Sequence, residues 1–184
     1  MDRHPTRRTN AQNEPCRLHS LRASMKLRPT TPTDCERYFE WANDPEVRAN
    51  SFNQEPIQYD VHVRWFYQKL ETKDQLWVAT ETKSGTTHLN QFGDECECDH
   101  IPIGQIRLQQ EQDHTEIHYS IAKEHRGQGN GRRMIQMALF EIKTWPVVAQ
   151  VKQTNRASRA IFDKLDFQII ATTSESITYQ KMQP

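Results

Sequence analysis

The sequence is poor in glycine and cysteine, and it has neither a long apolar run nor an excess of one charge. Its 184 residues include 6 glycines and 4 cysteines, and 24 Lys and Arg residues balance 24 Asp and Glu residues. This balance argues against a nucleic-acid or membrane partner held by bulk electrostatics. No apolar run approaches the ~20 residues that span a bilayer, and the polar N-terminus has no apolar signal core. We therefore expect a soluble, cytoplasmic chain.

Two of the cysteines, Cys96 and Cys98, stand in the run CECDH, which with His88 and His100 offers candidate zinc ligands. A single C-x-C lacks the paired spacing of structural zinc sites, so we favour a polar loop over a metal site. The surrounding segment, residues 82–101, is interpreted as an extended hairpin insertion. Because no secretory segment is apparent, free thiols are expected.

Hydrophobic periodicity divides the chain into a tail and one domain. Residues 1–24 have no apolar period, which predicts a disordered tail. Residues 25–184 predict a domain with the element order β-α-α-β-β-β-α-β-α-β-β, which is typical of a mixed sheet with helices on its faces. The first helix is predicted to have Thr33 as its N-cap, with Glu36 completing a capping box, and to end before Pro45.

Half of the glycines fall at alternate positions in EHRGQGNGRRM (Glu124–Met134), between a predicted strand and a predicted helix. Such a turn lets consecutive backbone N–H groups point into one concavity, and the following helix adds its positive N-terminal end. Arg126, Arg132 and Arg133 would add charge at the rim. The spacing G-x-G-x-G fits neither the dinucleotide motif nor the P-loop motif. An anion cradle and a flexible surface turn both remain open at this point.

The pattern R-x-x-G-x-G (Arg126, Gly129, Gly131) resembles the acyl-CoA pyrophosphate loop of the GNAT N-acetyltransferase superfamily. After a further strand, TNRASRAIFDKLDF resembles the superfamily helix N-x-x-[AS]-x-x-[LI]-[YF]-x-K-x-G-F. The resemblance implies an α/β (α+β) fold, with a mixed, mostly antiparallel central sheet of about seven strands flanked by about four helices. It also implies transfer of an acetyl group from acetyl-CoA to a primary amine.

The same resemblance implies which residues contact the cofactor. Backbone groups of Ile121 and Ala122 would hold the pantetheine arm, Asn155 would bond its amide, and Ser158 would lie nearby. The pyrophosphate would lie against the glycine loop, whose implied contacts are Arg126, Gly127, Gln128, Gly129, Asn130 and Gly131.

Two positions depart from the superfamily pattern. Phe162 stands where many relatives carry a Tyr that protonates the leaving thiolate, and Asp166 stands where the helix motif has Gly. Either Tyr119 or Ser158 would then protonate the leaving thiolate, or the CoA thiolate would leave unprotonated. If this turn position has the left-handed αL conformation, it tolerates Asp in place of Gly at some energetic cost.

The strand before the loop carries the candidate base. Glu116 and His118 project from one face of the strand Thr115–Ala122, and an amine must lose a proton before it attacks. Histidine titrates near neutrality, whereas Glu116 would need burial to raise its pKa. Ordered water is the alternative base, and an ordinary solvent-facing strand is the alternative reading of both residues. By resemblance, the thioester would lie near Tyr119, with a backbone N–H binding the oxyanion.

Motifs in the N-terminal half of the chain narrow the class of acceptor amine. WANDPEVRANSF (Trp41–Phe52) and the H-x-x-W-F run (His62–Phe66) resemble acetyltransferases of amino-sugar nucleotides in bacterial surface-glycan pathways of the pseudaminic-acid type. Related W-x-N-D-P stretches occur in acetyltransferases of protein N-termini and of aminoglycosides. A non-catalytic acyl-CoA-binding module is a further alternative, because of Phe162 and Asp166.

Polar residues between the first two helices are the candidate acceptor contacts: Asn43, Arg48, Asn50 and Ser51. Arg48 would pair with a nucleotide diphosphate, although all four residue types also suit surface or capping positions. The expected partner is a small-molecule amine, which is a nucleotide sugar if the first of these resemblances holds. The chain is expected to be a monomer or homodimer without a metal.

Overall fold

The computed structural model describes residues 24–82 and 100–183. The predicted tail and insertion fall almost entirely outside these residues, as do three of the candidate zinc ligands, His88, Cys96 and Cys98. Within the described ranges, no helix combines the length and the apolar character needed to cross a membrane.

Seven strands and five α-helices occur among the described residues. The strands are β1 (Met25–Pro29), β2 (Gln75–Thr82), β3 (His100–Gln110), β4 (Thr115–Ile121), β5 (Val147–Lys152), β6 (Gln168–Thr172) and β7 (Ser176–Lys181). The helices are α1 (Cys35–Ala42), α2 (Pro45–Asn50), α3 (Tyr59–Leu70), α4 (Asn130–Leu139) and α5 (Arg156–Lys164).

The strands form one sheet in the order β1-β2-β3-β4-β5-β7-β6, in which only β4 and β5 run parallel. This confirms the predicted mixed, mostly antiparallel sheet. Within the described residues, β4 and β5 pair through Thr115 with Val147 and Glu116 with Val148, although β4 continues to Ile121. The two strands therefore diverge toward their carboxyl ends and leave an opening in the middle of the sheet.

Helices cover both faces of the sheet. Met134 and Phe162, from α4 and α5, are buried in the larger apolar cluster with Ile106. On the other face, Tyr38 and Phe66 pack into a second cluster that α1 and α3 form over β2. Each fully buried side chain of this size contributes roughly 1.5–3 kcal/mol to folding, so both faces hold the diverging strands in place.

The short helix α2 is absent from the predicted element order, which ended the first helix before Pro45 and placed no helix directly after that proline. Asp44 caps α2, because its Oδ1 accepts hydrogen bonds from the N–H groups of Glu46 (3.0 Å) and Val47 (3.1 Å). Pro45 occupies the first helical position, where the missing N–H of proline costs nothing because an N–H there has no acceptor within the helix. The same Asp-Pro pair thus ends one helix and begins the next.

The predicted cap of the first helix was wrong: α1 follows a 3-10 turn (Pro32–Asp34) and has Asp34 at its N-cap position, and the capping box belongs to that turn instead of to Thr33 and Glu36. The reciprocal pair is Thr31 and Asp34, with the Thr31 N–H donating to Asp34 Oδ2 (2.9 Å). Asp34 is only 1% exposed, and Arg28 donates to both of its carboxylate oxygens at 2.7 Å. Burial raises the pKa of this carboxyl, but the bonds from Arg28 and Thr31 outweigh it and lower the pKa to about 2.

Asp34→Asn is therefore expected to lower the free energy of unfolding by about 2 kcal/mol at pH 7. Because the folded pKa of Asp34 lies below the unfolded value, its contribution is complete above about pH 4 and is lost as the pH falls toward about 2. Urea unfolding of wild type and variant across this range measures the difference. Asp60→Asn, which removes an exposed ion pair with Arg64, is the control. An undiminished difference at pH 2 would contradict the assignment.

Candidate active site

A cavity of about 870 Å³ lies where β4 and β5 diverge. It is bounded by both strands, by the glycine loop, by α5 and by α2 with the residues that follow it. The three candidate catalytic residues, Glu116, His118 and Tyr119, all line it from β4. The cavity thus joins elements that are far apart in the sequence.

The backbone of β4 presents alternate residues to the opening. The Thr115 N–H donates to the Pro146 carbonyl on the β5 side (2.9 Å), whereas the Ala122 N–H donates to the Ile103 carbonyl on the β3 side (2.8 Å). Since strand residues alternate, the backbone groups of Tyr119 and the N–H of Ile121 point to the β5 side as those of Thr115 do, and because β5 has diverged there they face the opening. Such groups can pair with an extended ligand or bind an oxyanion. The Ile121 carbonyl accepts from Arg126 Nε (2.9 Å).

Ala122 does not take the place expected for it. Its N–H is paired with Ile103, its carbonyl accepts from the His125 N–H (2.9 Å), and its side chain is buried. Ala122 is also outside the cavity lining, whereas Ile121 lies within it. Both backbone groups of Ala122 are therefore already hydrogen-bonded within the protein, which does not match the pantetheine contact that the resemblance implies.

The glycine loop needs glycine for two different reasons. Gly127 and Gly129 adopt φ angles of 74° and 82°, in the left-handed region, and a Cβ at either would meet no atom within 4 Å. At Gly131, a Cβ would lie 3.0 Å from Ile161 Cδ1 and 3.3 Å from Tyr119 Cε2. The first two glycines set the course of the chain, and the third lets α4 approach β4 closely.

The loop ends at the amino terminus of α4. The Arg133 N–H donates to the Gly129 carbonyl (3.2 Å), so the amides of residues 130–132 precede this bond and have no intrahelical acceptor. Asn130 is buried and its Nδ2 donates to the His125 carbonyl (3.2 Å), which ties the loop together. Open amides, a positive helix end and open space above the glycines fit a pyrophosphate.

Gln128 has a local partner instead of a place in the cavity. Its Nε2 donates to the Glu124 carbonyl (3.0 Å), and its side chain is absent from the cavity lining, which includes Gly127 and Gly129 on either side of it. Gln128 can therefore contribute to an anion site only through its backbone.

Arg126 has partners that the sequence reasoning did not anticipate. Its Nε donates to the Ile121 carbonyl (2.9 Å), one terminal nitrogen donates to Asp44 Oδ1 (2.7 Å), and the other donates to Glu46 Oε2 (2.9 Å). The guanidinium is thus opposed by two carboxylates, which is unfavourable for a neighbouring phosphate. The expected role of its side chain as a positive rim for pyrophosphate does not match these contacts.

Glu116 and His118 form a loose pair at the cavity wall. His118 Nε2 is buried without a hydrogen-bond partner and lies 3.6 Å from Glu116 Oε2. The interaction with His118 lowers the pKa of the Glu116 carboxyl, although burial opposes the shift. Glu116 is therefore ionised at neutral pH. It is the weaker candidate base of the two, because its pKa is lowered instead of raised.

Two hydroxyl groups meet where the superfamily phenol is missing. Tyr119 Oη lies 2.9 Å from Ser158 Oγ, and burial raises the pKa of Tyr119 although the Ser158 bond opposes the shift. Phe162 is buried beneath them, with its ring 6.2 Å from that of Tyr119. Asn155 caps α5 by accepting from the Ser158 N–H (3.1 Å), and both residues line the cavity.

Asp166 accounts for the other departure from the superfamily helix motif. Its φ angle is 58°, so the chain makes the left-handed turn that glycine would make. Asp is one of the residues that visit this region, and the local geometry of the motif is retained.

The candidate acceptor residues are mostly engaged with the backbone around α2. Arg48 donates to the carbonyls of Ala42 (2.6 Å) and Asn53 (3.1 Å) and to Ser51 Oγ (3.0 Å). Asn50 Nδ2 donates to the Glu46 carbonyl (3.0 Å). Arg48, Asn50 and Ser51 line the cavity, but the Arg48 guanidinium is used to fold the link and is poorly placed to grip a diphosphate.

Asn43 lies outside the cavity lining. Its side chain exchanges two hydrogen bonds with the Ile57 backbone, at 3.1 Å from Nδ2 and 2.8 Å to Oδ1. Asn43 thus pins the link between α2 and α3, and the structure gives it a folding contact instead of an acceptor contact.

Among the cavity-lining residues that sequence reasoning missed are Phe52, Gln105 and Lys152. Gln105 lies opposite Ser120 in the β3–β4 register, and its Nε2 donates to Ser120 Oγ (3.2 Å). The exposed ring of Phe52 (51%) was a visible signal, as a large apolar residue in a polar link. Gln105 and Lys152 could be assigned to the cavity only once the pairing of the strands was known.

Metal ligands are not grouped in the part of the chain that the structure describes. No cluster of three or more His, Cys, Asp or Glu side chains there is placed to hold a metal ion. The candidate ligands upstream of His100 lie outside the described ranges.

Comparisons with known proteins point in the same direction as the geometry. A family model described as an acetyltransferase (GNAT) domain matches residues 24–168. No curated protein matches the chain.

Three solved structures illustrate the likeness of fold. A domain from Methanocaldococcus jannaschii DSM 2661 has a TM-score of 0.73 and 18% identity over 88% of this chain and 100% of its own. A spermidine N-acetyltransferase from Vibrio cholerae, in complex with CoA and spermine, has a TM-score of 0.68 and 16% identity over 86% and 95%. YncA from Salmonella typhimurium, with its cofactor acetyl-CoA, has a TM-score of 0.65 and 16% identity over 86% and 94%.

Proposed function

The chain belongs to the GNAT acetyltransferase family, with acetyl-CoA as its co-substrate, and on that premise we propose that it acetylates a small-molecule primary amine in the cavity between β4 and β5. One observation carries the proposal: the strands diverge where β4 presents backbone groups to the opening, and the left-handed glycine loop lies at the same end. An extended thioester-bearing arm and its pyrophosphate fit these two features together.

His118 is the proposed base. The carboxylate of Glu116 near Nε2 (3.6 Å) favours the proton on that nitrogen, which leaves the lone pair of the neutral imidazole on Nδ1. Nδ1 would then take the proton that the ammonium must lose before it attacks the thioester carbonyl. Glu116 acts as the positioning group, because its lowered pKa keeps it anionic.

Tyr119 is the proposed donor to the leaving thiolate. Its raised pKa keeps the phenol protonated at neutral pH, and its contact with Ser158 (2.9 Å) holds the hydroxyl at the cavity wall. In this scheme the amine attacks the carbonyl carbon, the C–S bond breaks and the phenol proton passes to sulfur. The extra proton on the attacking nitrogen is lost through solvent, which reprotonates the phenolate and leaves the neutral amide. The site thus replaces the missing phenol at Phe162 with one from β4.

For the acceptor, an amino-sugar nucleotide is the proposal that follows from the N-terminal resemblance. Arg48 gives it no support as a diphosphate ligand, because its guanidinium is bonded to backbone carbonyls. A second acceptor class, an amine with further positive charge such as an aminoglycoside or a polyamine, is supported by the anionic Glu116 in the cavity wall. The V. cholerae neighbour binds spermine, and that property is its own.

The test is CoA thiol release from acetyl-CoA with matched panels of UDP-amino sugars, aminoglycosides, polyamines and peptide N-termini. We expect saturable turnover with at least one amine class and none with the corresponding N-acetylated amines. Turnover confined to the charged amines would exclude the nucleotide sugar. CoA binding without turnover on any amine would favour the non-catalytic module and overturn the proposal.

A further inference from the structure

The helix α2 lies across the opening between β4 and β5 and is tethered at both ends. At its start, Asp44 and Glu46 accept hydrogen bonds from Arg126 at 2.7 and 2.9 Å. At its last turn, the Ala49 carbonyl accepts from Lys152 Nζ (3.0 Å). Arg126 follows β4 and Lys152 ends β5, so the two diverging strands each hold one end of the helix.

The tethered helix forms one wall of the cavity. Its residues Glu46, Val47 and Arg48 line the cavity, as does Phe52 just beyond it. The same cavity is lined from β4 by Glu116 and His118, which are the proposed amine-handling groups. This reasoning rests on the proposed function, because it takes that side of the cavity to be the acceptor side.

Arg126 is chemically suited to hold this wall. Its Nε bond to the Ile121 carbonyl (2.9 Å) fixes the side chain against β4, so the guanidinium reaches α2 from a rigid base. Asp44 Oδ1 accepts from Arg126 and from the two N–H groups that it caps, so the ion pair also holds the first turn of the helix. Asp44 is 16% exposed, which limits solvent screening of the pair.

We infer that Arg126 is a positioning residue for the acceptor wall, and that it acts by clamping α2 to the end of β4 instead of binding the cofactor pyrophosphate. The clamp couples the two halves of the reaction. The loop that holds the pyrophosphate by its amides begins at the residue that fixes the acceptor wall, so the amine pocket takes its shape from the cofactor side.

Asp44→Asn is the sharpest test, because asparagine caps a helix about as well as aspartate but removes the charge that faces Arg126. We expect the KM for the amine to rise about tenfold, as for the loss of one partly buried charged hydrogen bond, while the Kd for CoA changes less than about twofold. Arg126→Gln should give at least the same rise, because it also loses the bond to Glu46, and adding Asp44→Asn to it should raise the KM no further. Asp60→Asn, at an exposed pair on α3, is the matched control.

The opposite result is equally distinct. If Arg126 binds pyrophosphate and the carboxylates compete for it, Asp44→Asn will tighten CoA binding and leave the amine KM unchanged, which overturns the inference. Amide hydrogen exchange of residues 45–50 supplies a readout without turnover, and it should accelerate in Asp44→Asn and not in Asp60→Asn. Unchanged exchange also overturns the clamp. An absence of turnover in the wild type would instead count against the proposed function alone.

Discussion

Gly129→Val is expected to raise the Kd for acetyl-CoA by about 100-fold or more, the largest effect that a single substitution in the loop should produce. Gly129 holds a φ angle of 82°, and a β-branched residue is a strong outlier there. The valine variant must leave this conformation, and the amides at the start of α4 then turn away from a common point. Loss of two such charge-assisted hydrogen bonds accounts for roughly 3 kcal/mol or more.

Gly129→Asn separates the two ways in which the valine could act. Asparagine tolerates the left-handed region, and a Cβ at this position meets no atom within 4 Å. If the backbone conformation is what matters, the asparagine variant should lose about tenfold in affinity or less. If any side chain fills the anion site, both variants should lose binding equally.

Calorimetric titration with CoA measures both affinities, and thermal unfolding checks that the fold survives. The strain at one residue costs of the order of 1–3 kcal/mol, so a folded valine variant is expected. Unchanged CoA affinity in folded Gly129→Val would refute the assignment of the loop to pyrophosphate.

The loop and the sheet were predictable from sequence because their signals are local. The alternation in β4, the glycines that follow it and the apolar stripe of α4 fall within residues 115–139. A strand, a turn and a helix in that order place open amides at the helix start whatever the rest of the chain does. The element order therefore predicted the sheet and a candidate anion cradle beside it, and the resemblance to the acetyltransferase superfamily assigned that cradle to the cofactor.

The acceptor side was less predictable because its contacts join distant residues. Arg126 meets Asp44 and Glu46 across sequence separations of 82 and 80 residues, and no periodicity records such a pairing. Its position beside the glycines suggested a phosphate ligand, whereas its two carboxylate partners lie in the other half of the chain. Only the folded domain brings them together.

Arg48 shows a different limit. Its partners are close in sequence, but they are backbone carbonyls such as those of Ala42 and Asn53, which every residue carries. An arginine that folds a link around itself therefore looks the same in the sequence as one that faces a ligand. The nucleotide-diphosphate hypothesis depended on that ambiguity.

His118→Gln is expected to lower kcat/KM for the amine by about 100-fold at pH 7, the low end of what a general base contributes. Glutamine keeps a polar side chain of similar size but cannot take up a proton at neutral pH. The Kd for CoA should stay within about twofold of the wild-type value, because the His118 side chain is proposed to act on the amine and not to bind CoA. Glu116→Gln should cause a smaller loss, since it removes only the charge 3.6 Å from His118 Nε2.

The pH dependence distinguishes a base from a merely structural histidine. A primary amine has a pKa near 10 in water, so solvent supplies more of the neutral amine as the pH rises. The deficit of His118→Gln should therefore shrink steadily between about pH 7 and pH 10, whereas a loss caused by distorted packing should persist. Tyr119→Phe, which removes the proposed acid, should show no such recovery. Full activity of His118→Gln at pH 7 would assign proton removal to ordered water and would leave Glu116 and His118 as an ordinary polar face of β4.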